Sequence, residues 1–183
     1  MNARVRWLLL LAAMLLPAAA WAASGVVRNG SFERPQIDGH EQNFPTGSKL
    51  GPWKVTRGDV DVLAGRFTAA DGLQSLDLNG TGPGTIRQVL MTRSGPAYKL
   101  SFALAGNPEC DGDPVKRVSV FWDGKPVATL SFDTTGHWHG DLGWEPHAFP
   151  VTSSGGRTRL VFQSLSDGAC GPAIDAVVAT PGR

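Results

Sequence analysis

The chain has 183 residues, 42% of them hydrophobic, with 23 Gly, 13 Pro, and 17 Lys and Arg against 16 Asp and Glu. A balance this near neutral argues against a nucleic-acid binder, which needs clustered Lys and Arg; Lys116-Arg117 and the Arg157/Arg159 pair read as solvated strand ends. After residue 22 no segment approaches the roughly 18 consecutive apolar residues of a membrane helix, which argues against membrane insertion.

The first segment reads as a secretory leader. Arg4 and Arg6 form the charged region, Trp7 to Leu16 the apolar stretch, and Ala20-Trp21-Ala22 a small-x-small cleavage site. Residues 1–22 are therefore expected to be a signal peptide, leaving residues 23–183 as a single domain, either periplasmic or extracellular. From there the chain reads as strands and turns. Asn29-Gly30, Asp38-Gly39, Asp71-Gly72, Asn79-Gly80, Asp123-Gly124, Gly155-Gly156 and Asp167-Gly168 punctuate it.

Strands are expected near 26–28, 53–57, 59–63, 74–78, 84–90, 97–105, 116–122, 126–132, 143–150, 158–164 and 173–179. In the longest run, Tyr98, Leu100, Phe102 and Leu104 alternate with Lys99, Ser101 and Ala103. Asp123-Gly124 between two such runs is a hairpin signal. The segment 36–51 has little pattern and reads as a long loop, the kind that often carries binding residues. No stretch shows helical spacing, so the expected fold is all-β, an antiparallel β-sandwich or barrel.

Six segments in order carry a resemblance. They are Asn29-Gly30-Ser31-Phe32-Glu33-Arg34-Pro35, Gly51-Pro52-Trp53-Lys54-Val55 with Gly58-Asp59-Val60-Asp61-Val62, Asp71 to Gly80, Tyr98 to Pro108, Leu142-Gly143-Trp144, and Cys170-Gly171-Pro172-Ala173-Ile174-Asp175-Ala176-Val177. Over almost all of residues 26–179 this order resembles the domain-of-unknown-function 642 family, which overlaps the choice-of-anchor C proteins. The resemblance implies a galactose-binding-like jelly roll that is secreted and associated with cell-wall or extracellular polysaccharide. It also implies a calcium ion shared by an early Phe-Glu and a late Asp, here Glu33 and Asp175, holding the N- and C-terminal strands together. The alternative for that pair is bonding to backbone amides and turn capping.

The two cysteines, Cys110 and Cys170, form an even count in an export context, which favours one disulfide over two free thiols. His137-Trp138-His139-Gly140-Asp141 offers two readings. In an extended strand His137 and His139 share a face and, with Asp141 or His147, suit zinc or copper. In a loop they are solvated and flank an exposed Trp138, whose indole can stack on a pyranose. Trp53 and Trp144 read as core anchors. Asn79 and Asn107, with Asp71 and Asp77, lie beside strand ends where a rim site can form or where Asx turns are made.

No Gly-x-Ser-x-Gly, P-loop or dinucleotide fingerprint occurs. The reading is a non-catalytic, monomeric module binding polysaccharide or glycan through Trp138, His137, His139, Asn79 and Asn107. Two other classes compete: a small jelly-roll hydrolase or lyase using the histidines with metal, and a structural envelope or matrix protein binding other proteins.

Overall fold

The computed structural model describes residues 25–182, so the expected leader, residues 1–22, lies outside the described residues. Twelve strands follow in chain order: β1 (Glu41–Pro45), β2 (Lys49–Leu50), β3 (Trp53–Arg57), β4 (Asp59–Leu63), β5 (Ser75–Asp77), β6 (Thr85–Met91), β7 (Ala97–Gly106), β8 (Val115–Trp122), β9 (Lys125–Asp133), β10 (Glu145–Thr152), β11 (Arg157–Ser164) and β12 (Pro172–Pro181). They form two six-stranded sheets, ordered β1-β4-β5-β12-β7-β10 (sheet A) and β2-β3-β6-β11-β8-β9 (sheet B). Every pairing is antiparallel. The fold is the antiparallel β-sandwich that the sequence predicts.

Alternation decides which side chains enter the core. Leu100, Phe102 and Leu104 of β7 face Val118, Val120 and Trp122 of β8 and Leu160 and Phe162 of β11, all at most 3% exposed. Aromatic packing knits the two layers: the Phe162 ring lies 5.1 Å from Phe102 and 6.1 Å from Trp53, and Trp53 lies 5.8 Å from Phe32. The β8–β9 hairpin turns on Asp123 and Gly124, with φ of 53° and 80°, the left-handed pair whose twist matches the strands.

Two expectations needed correction. The expected loop 36–51 contains β1 and β2, and β1 pairs with β4 over five residues. Four of the five β1 residues are exposed, so no buried alternation marked it; backbone pairing alone makes it a strand. The expected strand at 26–28 is instead an irregular segment that bridges the two sheets between β12 and β6. Val26 N–H donates to Ala179 O of sheet A, while Arg28 exchanges two bonds with the buried Gln88 side chain of sheet B. Gly30 permits this approach, because a Cβ there would sit 2.0 Å from Val177 O.

Cys110 and Cys170 are bonded, with Cα atoms 5.8 Å apart and a sequence separation of 60. The bridge joins the loop after β7 to the one before β12. Replacing both with Ser is expected to lower the unfolding free energy by about 3–4 kcal/mol. Urea unfolding measures this, and an unchanged midpoint would show that the bridge adds no stability.

Candidate functional site

Four loops meet over the outer face of sheet A, and each is tied to its neighbour. Residues 64–74 cross to 134–144 through Thr68. Its N–H donates to His139 O (3.0 Å), its Oγ1 to Gly140 O (2.8 Å), and its carbonyl accepts from Trp144 Nε1 (2.8 Å). The Trp138 loop reverses tightly, with Asp141 N–H donating to Trp138 O at 2.8 Å, so the loop reading of this segment is the observed one. Gly140 lies under the indole, where a Cβ would fall 2.2 Å from the Trp138 ring. The ring is 57% exposed.

Beside it stands a polar cluster with an aromatic floor. Glu109 accepts from Arg66 Nη2 through one oxygen and from His139 Nδ1 through the other, both at 2.8 Å. The His139 ring lies edge-on to Trp138 (5.1 Å) and to Phe67 (6.2 Å), and the Arg66 guanidinium sits 5.1 Å from the Phe67 ring centre. Phe67 and Thr68 also line a cleft of about 430 Å³ with Glu33, Gln36, Ile37 and the exposed Leu73. Indole, guanidinium, imidazole and carboxylate thus converge at one rim. Nothing in the sequence distinguished Arg66, Phe67 and Glu109, because their grouping requires loops 40 or more residues apart.

The other predicted site residues fall elsewhere. His137 does not share a centre with His139: its ring packs 5.3 Å from Phe132 and over Gly143. Among the described residues no group of three or more His, Cys, Asp and Glu is placed to hold a metal. Asn79 and Asn107 are not at the surface; they are 0% and 3% exposed. Both belong to a buried cluster around Asp77. Asp77 accepts from Asn79 N–H (2.8 Å), Gly171 N–H (3.0 Å) and Asn107 Nδ2 (2.8 Å), while Asn79 Nδ2 donates to Ser166 O and Gly168 O. Asn107 Oδ1 in turn accepts from Glu109 N–H, so it positions the rim carboxylate from below.

Glu33 and Asp175 hold the same loop from two sides. Asp175 accepts from Ala70, Asp71 and Ala176 N–H groups, and Glu33 from those of Leu73 and Gln74. Calcium needs six to eight oxygen ligands. Here five N–H donors bond three of the four carboxylate oxygens, the backbone-amide arrangement that is the alternative for this pair.

Comparison with known proteins places the fold and then the family. TmCBM61, solved with β-1,4-galactotriose, superposes with a TM-score of 0.55 at 17% identity, covering 86% of this chain and 99% of that one. The CBM22-1 xylan-binding domain of Paenibacillus barcinonensis Xyn10C gives 0.50 at 17% identity, covering 77% and 92%. The sandwich thus has the jelly-roll fold of these two structures. The chain belongs to the family described as protein of unknown function (DUF642), whose model matches residues 25–180. It is also 30% identical over 158 residues to halomucin of Haloquadratum walsbyi (strain DSM 16790 / HBSQ001), spanning 83% of this chain but about 2% of halomucin.

Burial raises three acids of sheet A: Asp77 to about 8, Asp175 to about 7 and Asp61 to about 6, against 3.8 in water. Each binds its proton more tightly folded than unfolded. Their stabilising contribution is complete below about pH 4 and is lost as pH rises through about 6 to 8. Urea unfolding should give a lower free energy at about pH 9 than at about pH 5, and a rising profile would contradict dominance by burial. The Glu33–Asp175 arrangement predicts equal melting temperatures in calcium and in chelator. A lower value in chelator would mean that the 70–74 loop reorganises around the ion.

Proposed function

We propose that the protein is an exported, non-catalytic carbohydrate-binding module whose site is the rim around Trp138. The exposed indole carries the reading. An aromatic face held outward by Gly140 and Thr68, with no core to fill, suits the apolar face of a pyranose. Arg66, Glu109 and His139 offer donors and an acceptor beside it for hydroxyl groups. The cleft at Phe67 and Leu73 extends the rim for a second sugar unit. Loops fixed in advance lower the ordering cost of binding. The ligand of the similarly folded TmCBM61, β-1,4-galactotriose, is the first probe to try within a broad glycan panel.

Titration of the purified protein with the best-binding glycan should give saturable binding with no product formed. Trp138→Ala should weaken binding at least tenfold, since aromatic and hydrogen-bonded contacts at such a centre are worth about 2 kcal/mol or more. Gly140→Ala should weaken binding too, by displacing the ring. Unchanged affinity in Trp138→Ala would remove the rim from consideration, and release of shortened glycan would favour an enzyme.

A further inference from the structure

The near-neutral chain is divided by charge between its two sheets. The strands of sheet A carry Glu41, Asp59, Asp61, Asp77, Glu145 and Asp175 against Lys99 alone. The strands of sheet B carry nine Lys and Arg against Asp133 alone. The sequence reading of isolated, solvated cation pairs needs correction on both counts: Lys116 is buried, and Arg157 and Arg159 belong to a larger field.

Register shows how that field is built. Lys49 stands opposite Lys54, and Lys54 opposite Arg87, so three cations occupy one row across β2, β3 and β6. Adjacent strands are about 4.8 Å apart, and like charges directly opposite destabilise a sheet. The next two positions in the row are Val161 and Phe121. Arg87 and Arg159 flank these two in a shallow groove of about 340 Å³. Among the described residues, Lys49, Lys54, Arg87, Arg157 and Arg159 have no ion-pair partner.

We propose that the outer face of sheet B binds an acidic polysaccharide, laid across the strands, at a site separate from the rim. Guanidinium groups at 87 and 159 match planar anionic groups through paired N–H donors. The half-buried Phe121 and Val161 give the floor on which the apolar face of a sugar rests. A bound polyanion also relieves the repulsion along the Lys49–Lys54–Arg87 row.

Three other occupants fit less well. A second copy of the chain offers less complementary charge, because three of the six acids on the strands of sheet A, Asp61, Asp77 and Asp175, are at most 7% exposed, leaving Glu41, Asp59 and Glu145. A single-stranded nucleic acid stacks successive bases on a series of exposed aromatic faces, and the groove has one aromatic, the half-buried Phe121. A lipid surface needs protruding apolar groups among the cations; Val89 and Met91 protrude only at one end of the face, opposite Arg159 and Arg157.

The test compares binding of the purified protein to carboxymethyl-dextran, uncharged dextran, single-stranded DNA and anionic phosphatidylglycerol vesicles. Binding to carboxymethyl-dextran and not to dextran is expected, with affinity falling at least about tenfold between about 50 and 300 mM salt. The Arg87→Ser/Arg159→Ser variant should lose at least about tenfold, through its lost charge-assisted bonds. A second variant, Lys49→Glu/Lys54→Glu, should lose as much, while Lys99→Glu, which reverses the lone cation on the strands of sheet A, binds as the parent does and so separates this face from overall charge. No binding at low salt, or full binding by both sheet-B variants, would overturn the proposal. Tighter binding to DNA or vesicles than to the acidic dextran would assign the face to that partner and overturn it equally.

Discussion

Asp77 carries its carboxyl group at the end of a three-residue strand, wholly buried, with N–H donors converging on it from three separate segments. A buried ionisable group is costly unless its bonding is complete, so each donor is held where it is by the cost of withdrawing it. One donor is on Asn79, whose own amide secures 166–168; one is Gly171, just after the disulfide; one is Asn107, which fixes Glu109. The loops over sheet A are therefore positioned from a single point. The Cys110–Cys170 bridge runs beside this point and ties the same two loops covalently.

Order at the rim follows from order below it. Glu109 stands directly between the Asn107 bond and the disulfide at Cys110, and from there it orients Arg66 and His139. Thr68 fixes the Trp138 loop from the opposite side with two bonds of its own and a third accepted from Trp144. A surface of this kind loses little conformational freedom when something docks on it. It also explains why Trp138 is exposed while Trp53 is fully buried: the Trp53 indole has a carbonyl partner in Asn29 and aromatic neighbours, whereas Gly140 supports only one face of Trp138.

The two sheets treat charge in opposite ways. On sheet A, three of the six strand acids, Asp61, Asp77 and Asp175, are buried and accept N–H bonds, and burial favours their protonated form, so they add little charge to the surface. On sheet B, Lys49, Lys54, Arg87, Arg157 and Arg159 have no carboxylate partner among the described residues. Net charge, the quantity read first from composition, averages over this division and conceals it. What a partner meets is the outer face of one sheet.

Alternation in 97–105, 116–122 and 158–164, with glycine-bearing turns between, determined an all-β sandwich, because period 2 is a property of neighbouring residues and needs no tertiary information. The same holds for the hairpin at Asp123-Gly124, whose left-handed pair is local chemistry. The pairing of Cys110 with Cys170 followed from there being only two cysteines. β1 was invisible, since an exposed edge strand has no buried face to alternate with. Asn79 and Asn107, polar and beside strand ends, read as rim residues, and only the packed structure shows them turned inward to Asp77. Arg66, Phe67 and Glu109 became a group with Trp138 and His139 only because loops distant in sequence were folded over one sheet. Local periodicity fixes which segments are strands; which side chains meet is decided by how the strands are ordered and what their loops are bonded to.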